Sequence, residues 1–186
     1  MITIVSGLPR SGTSLMMQML AAGGMPILSD GERTADVDNP RGYYEWERIK
    51  QLPKDPACIA EAEDRAVKVI SQLLFALPSG RNYKIIFMER PLPEVVASQA
   101  EMIRRRGTSG AALSDTALIA GLQAHLNQVN AWLERRAEIG IVRVKFNDVL
   151  RDPKGSAEVV KRFLDRRLAL ELMEQQIDPA LYRHRS

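Results

Sequence analysis

The chain has 186 residues, of which 45% are hydrophobic and 26% charged, with 26 Lys and Arg against 23 Asp and Glu. This length fits a single domain, residues 1–186, with a substantial buried core. The small basic excess suits an anionic small ligand and is too weak to indicate nucleic acid, and no apolar run approaches the roughly eighteen residues of a membrane span.

The first predicted element is a strand over residues 2–5, a continuous β-branched run of the buried, parallel kind. No basic and apolar leader precedes it, so a reducing, cytoplasmic location is expected. A glycine loop follows, then a helix over Thr13–Ala22 stopped by Gly23-Gly24. Strand, glycine turn and helix form the layout of a phosphate cradle. The unpaired N–H groups of the loop and first helical turn converge on one spot, and the helix dipole favours negative charge there. Gly7 and Gly12 stand five apart, as in the nucleotide-binding P-loop G-x-x-x-x-G-K-[ST]. Here Thr13 takes the place of the lysine. The fixed charge comes earlier, at Arg10, with hydroxyls at Ser11, Thr13 and Ser14.

Residues 26–42 carry Gly, Pro, Asp and Asn without periodicity and are expected to form a long functional loop. Helices are predicted over 43–52, bounded by Pro53, and over 57–77, stopped by Pro78-Ser79-Gly80. The second of these holds Cys58, the only cysteine, which rules out an internal disulfide and reads as a passive thiol. Residues 84–88 are a second strand, and a helix over 93–106 opens with Pro93 and ends before Gly107. Arg104, Arg105 and Arg106 complement that helix's C-terminal dipole and do not by themselves indicate nucleic acid. A long helix spans 114–138, with Ser114 as N-cap and Gly140 as stop; it carries His125 as a packed or exposed helical residue. Residues 141–146 form a third strand, and Asp152-Pro153 opens a helix to about Arg167. The tail, 168–186, begins helical and breaks at Asp178-Pro179. Strands separated by helices imply an α/β three-layer sandwich around a parallel sheet, with its ligand at the carboxyl ends of the strands.

Arg90 lies at the end of the second strand, and Ser98 follows eight residues later, about two turns into the next helix. Both can face one phosphate beside the glycine loop. Alternatively, Arg90 forms a surface ion pair with Glu89 or Glu94, and Ser98 is a small residue on a packed face.

The loop G-L-P-R-S-G-T-S resembles the 5′-phosphosulfate loop, G-x-P-[KR]-S-G-T-[ST], of sulfotransferases that use 3′-phosphoadenosine 5′-phosphosulfate (PAPS). The Arg90 to Ser98 spacing resembles that family's 3′-phosphate motif. N-P-R-G-Y-Y-E at 39–45 looks like the N-P-x-G-[YFW]-x-E segment of small bacterial members. V-K-F-N-D-V-L-R-D-P at 144–153 looks like their v-x-Y-E-D-L-x-x-D-P, with Phe146 and Asn147 in place of Tyr and Glu. D-P-A-L-Y-R-H-R at 178–185 matches their terminus in style. The resemblance covers most of the chain. It departs at the C-terminal R-x-G-x-x-G-x-W-[KR] loop of the cytosolic enzymes, which is absent here; Arg183 or Arg185 would replace its contacts.

The resemblance implies a P-loop nucleoside triphosphate hydrolase-like fold and metal-independent, in-line sulfuryl transfer from PAPS to a hydroxyl or amine of a small molecule or glycan, leaving adenosine 3′,5′-bisphosphate (PAP). It implies that Arg10 stabilises the leaving oxygen and that Ser11, Gly12, Thr13 and Ser14 hold the 5′-phosphate. Arg90 and Ser98 take the 3′-phosphate. The family's base is a Glu or His, and Glu45 is the first candidate, with Glu32, Asp36 and Asp38 as competitors; a first-turn helix acid explains Glu45 equally well. Tyr43, Tyr44 and Trp46 line either an acceptor pocket or the core. The alternatives are a nucleotide-dependent phosphotransferase, which Thr13 argues against, and a non-catalytic nucleotide or anion sensor. No G-x-G-x-x-G supports a dinucleotide enzyme.

Overall fold

The computed structural model describes residues 1–32, 36, 42–105, 107 and 113–178. Strand β1, Ile2–Gly7, is buried at every position because sheet neighbours flank it and both of its faces are covered. Strands β2 (Ile27–Leu28), β3 (Ala66–Lys68), β4 (Tyr83–Glu89) and β5 (Ile139–Lys145) complete a five-stranded sheet in the order β2-β3-β1-β4-β5. Every pairing is parallel. Val5 lies opposite Lys68 on one side and Ile86 on the other.

Strand alternation divides the core in two. Ile2, Ile4, Val67, Ile85 and Phe87 face one side, where they meet α3 (Asp115–Leu133) and three 3-10 segments, Glu47–Gln51, Pro56–Ala62 and Ser71–Ala76. Val5, Ala66, Ile86, Met88 and Val144 face α1 (Thr13–Ala22), α4 (Phe146–Arg151), α5 (Pro153–Leu164) and α6 (Leu170–Glu174). Helix α2, Leu92–Arg105, lies against α3. Met16, Met17, Met19 and Leu20 of α1 are fully buried, since that helix sits between the sheet and α6. Each such side chain contributes about 1.5–3 kcal/mol of burial. The result is the α/β three-layer sandwich expected from the sequence. Among the described residues, no helix is long and apolar enough to cross a membrane.

Several sequence expectations are corrected. The helix expected over 57–77 is two 3-10 segments enclosing β3. Asp64 takes a left-handed φ of 57°, which ends any helix there, and β3 is then claimed by hydrogen bonding between β1 and β2. Strand β2 falls within the stretch expected to be loop and is too short to leave a periodic signal. Only Glu47–Gln51 is helical within 43–52, because Tyr44 has a φ of 52°. Helix α3 stops at Leu133, and Gly140 lies inside β5 instead of ending the helix. Helix α4 begins directly at Phe146, and Asp165, at a φ of 54°, ends α5 before Arg167. Ser114 does cap α3, accepting from the Ala117 N–H at 3.2 Å.

His125 secures α3 to the sheet's flank. Its Nε2 lies 2.9 Å from Ser71 Oγ, and its ring meets Phe75 edge-on at 6.0 Å. Burial holds its pKa below the ordinary 6.5. The unfolded chain therefore binds a proton that the folded chain resists. Stability is fully present above about pH 6.5 and falls as pH drops through that value toward the lower native pKa. Urea unfolding at pH 7 and pH 5.5 measures this loss. A His125→Gln variant is expected to lack it, and an equal loss in that variant assigns the effect elsewhere.

Candidate active site

The loop between β1 and α1 is shaped by two glycines. Gly7 has a φ of 148°, and a Cβ there would lie 2.5 Å from Ser11 Oγ and 2.6 Å from the Met88 carbonyl. Gly12 has a φ of 97°, and its Cβ would lie 2.4 Å from the Phe146 ring. Both conformation and space require glycine at these positions. Helix α1 begins at Thr13 with no side-chain cap and no acidic residue in its first turn, so its N-terminal amides are left to an anion. Ser11 Oγ is buried with no hydrogen-bond partner, as is Ser6 Oγ at the end of β1. Orphaned hydroxyls below the loop mark a place for polar ligand atoms.

Arg10 holds a left-handed φ of 70°, a strained state for a residue that carries a Cβ. Two bonds fix it. Its Nε donates to Ser98 Oγ at 2.9 Å, and its carbonyl accepts from Arg90 Nη1 at 3.1 Å. The structure thus brings Arg10, Arg90 and Ser98 together. Arg90 is not a surface residue: it stacks 4.5 Å over the Phe146 ring, and its Nε donates to the buried Glu94 at 2.9 Å. Glu89 pairs instead with Arg143.

A cation that sequence reasoning missed stands on the other flank. Lys68 ends β3, and only 7% of it is exposed. Its Nζ donates to Ser14 Oγ at 3.2 Å, to the Tyr43 carbonyl at 3.0 Å and to Glu45 Oε1 at 3.1 Å. The available signal was a single lysine within the apolar run 66–70, costly to bury unless paired. A helix over 57–77 hides that signal, because it offers Lys68 an exposed face.

Glu45 therefore lies at the cradle end of the sheet, joined to α1 through Lys68 and Ser14. Its backbone carbonyl is held by Ser29 Oγ and the Asp30 N–H. The competing acids are placed differently. Asp36 accepts from the Tyr43 hydroxyl at 2.7 Å and 2.8 Å, and Glu32 is exposed. Asp38, Arg183 and Arg185 lie outside the described residues, as do Asn39, Pro40 and Arg41 of the N-P-R-G-Y-Y-E segment. Trp46 is a core residue, and Tyr44 packs against the α1-side core.

A cavity of about 200 Å³ opens where β4 and β5 end beside α3, lined by Ser11, Glu89, Arg90, Asn130 and Arg143 among others. Cys58 is buried in the opposite core, and burial pushes its thiol pKa up, as a passive thiol requires. Among the described residues, no group of three or more His, Cys, Asp or Glu is placed to hold a metal ion.

An anion cradle with one cation on each flank and a carboxylate beside it is equipped to bind a phosphorylated donor and accept a proton. Comparison with known proteins supports a narrower statement. The family model described as "Sulfotransferase domain" matches residues 2–184. Among solved structures, the sulfotransferase domain from the curacin biosynthetic pathway aligns with a TM-score of 0.51, covering 92% of this chain and 76% of that one. At 15% identity that likeness speaks for the fold. Comparison with curated proteins found no match. With the family model spanning nearly its whole length, and the cradle at the strand ends where such a fold binds its ligand, this chain belongs to the sulfotransferase domain family, enzymes that transfer sulfuryl groups.

Proposed function

We propose that residues 1–186 act as one domain that transfers the sulfuryl group of PAPS, without a metal, to a hydroxyl or amine on a small molecule or glycan. The observation that carries this reading is the joining of Arg10, Arg90 and Ser98 beside a cradle in which Thr13 stands where a nucleotide-dependent kinase needs lysine. The site's polar groups fit the donor: the orphaned Ser11 hydroxyl and the uncapped start of α1 suit a 5′-phosphate.

PAPS, when bound, supplies the sulfuryl group and a phosphate that departs with the electron pair. The chain's part is to hold and neutralise. Gly12, Thr13 and Ser14 offer backbone and hydroxyl donors to the 5′-phosphate. Arg90 and Ser98 take the 3′-phosphate. Arg10 and Lys68 offset the negative charge that grows on the leaving oxygen. Glu45 accepts the acceptor's proton at its carboxylate, which the Lys68 ammonium keeps in place.

PAP in the presence of a metal chelator is expected to raise the melting temperature more than ATP with magnesium or GTP with magnesium does. Ligand that binds only the folded state stabilises it in proportion to affinity. Equal or greater stabilisation by magnesium nucleotides would sink the PAPS assignment in favour of phosphoryl transfer.

A further inference from the structure

Arg90 is held more tightly than a phosphate ligand needs to be. Its Nε donates to Glu94 Oε2 at 2.9 Å, and its Nη1 donates to the Arg10 carbonyl at 3.1 Å. Its guanidinium face rests on the Phe146 ring at 4.5 Å. Glu94, four residues on in the first turn of α2, is itself held from behind: Asn147 Nδ2 donates to its Oε1 at 3.0 Å. Only 4% of Glu94 is exposed. An amide is the right group at 147, since a carboxylate there would repel Glu94.

A buried carboxylate is a costly thing to place in a subsite for a phosphate dianion. It cancels the charge of the arginine that must attract the ligand. Against this stands the gain from order. A free arginine loses considerable rotamer freedom when it grips a phosphate, whereas one already fixed by two edges and a face loses little. A planar fork also recognises phosphate only in the right orientation.

We propose that Glu94 is a positioning residue for the 3′-phosphate subsite: the chain Asn147–Glu94–Arg90 fixes the guanidinium plane against Phe146 so that Arg90 selects nucleotides bearing a ribose 3′-phosphate. This inference rests on the reading of Arg90 as the 3′-phosphate ligand. Glu94 acts through Arg90 and does not itself touch the donor. Order outweighs neutralisation, so removing the carboxylate weakens phosphate recognition even though it leaves the site more positive.

The test is calorimetric binding of PAP and of adenosine 5′-phosphate, which differs from PAP only by the 3′-phosphate. The ratio of the two affinities reads the subsite directly, with no turnover required. The unaltered protein is expected to prefer PAP. Glu94→Ala is expected to lower that preference about tenfold or more, the scale of one charge-assisted hydrogen bond, with adenosine 5′-phosphate affinity little changed. Glu94→Gln keeps an acceptor for Arg90 Nε and is expected to retain most of the preference. A role in charge alone predicts the reverse, with both substitutions raising PAP affinity. An unchanged or increased preference in Glu94→Ala overturns the proposal. If thermal melting shows that Glu94→Ala does not fold, Asn147→Ala decides. Releasing one side of Glu94 is expected to lower the preference about threefold, the scale of a weaker hydrogen bond, and no change overturns the proposal. An unaltered protein that binds both nucleotides equally refutes Arg90 as the 3′-phosphate ligand, and the role of Glu94 with it. A preference present in the parent but indifferent to residues 94 and 147 refutes only the latter.

Discussion

Lys68→Met is expected to lower turnover by about a hundredfold to a thousandfold, the scale for removing one preorganised donor from a developing anion. Methionine keeps the length and apolar body of the side chain, so β3 and its packing remain. What disappears is the ammonium that lies 3.2 Å from Ser14 Oγ and 3.1 Å from Glu45 Oε1. Because the charge it offsets grows only as the bond to sulfur breaks, the loss belongs mainly to kcat. PAP affinity is expected to fall much less. Calorimetry with PAP and single-turnover rates with a labelled donor separate the two effects. A variant that binds PAP weakly but turns over normally would make Lys68 a binding residue, and one unchanged in both would make it a structural brace for the Tyr43 carbonyl.

Glu45→Gln is expected to reduce turnover by roughly a hundredfold or more, the usual scale for losing a general base. The amide keeps the shape and can still accept from Lys68, so the cradle is preserved. PAP affinity is expected to hold or rise, because the substitution removes a negative charge that lies beside the cradle and opposes the ligand's anion. Near-normal turnover would move the proton to Asp36, Glu32 or Asp38. The double variant Lys68→Met/Glu45→Gln is informative in its own right. The two groups are in contact, so their effects are expected to combine to less than the product of the separate losses. Full additivity would mean that they serve unconnected steps.

Half of this site was legible in the chain because its signals are local. A strand of β-branched residues running into G-x-x-x-x-G and a helix specifies a cradle within twenty residues, and Arg10 is read in the same stretch. Arg90 and Ser98 stand eight apart across a strand end and the helix that follows, so their spacing is also a local geometry. The ion pair that the alternative reading of Arg90 expects does form, with Glu94, but it is buried instead of lying at the surface. Lys68 was missed for the opposite reason. Nothing in 57–77 distinguishes an apolar helix from 3-10 turns around a short strand until β1 and β2 are present to bond to it.

Strand, turn and helix signals need only neighbouring residues, so the chain read alone yields the glycine loop between β1 and α1, the place of Arg10 in it and a parallel α/β layout. The tertiary structure alone decided which distant groups converge on that cradle. Pairing of β3 with β1 carries Lys68 to Ser14 across 54 residues, β4 carries Arg90 to the Arg10 carbonyl across 80, and the turn out of β5 carries Asn147 to Glu94 across 53. Sheet register sets these meetings, and register is fixed by burying both faces of the strands at once. That condition involves the whole core and is written in no single segment of the chain.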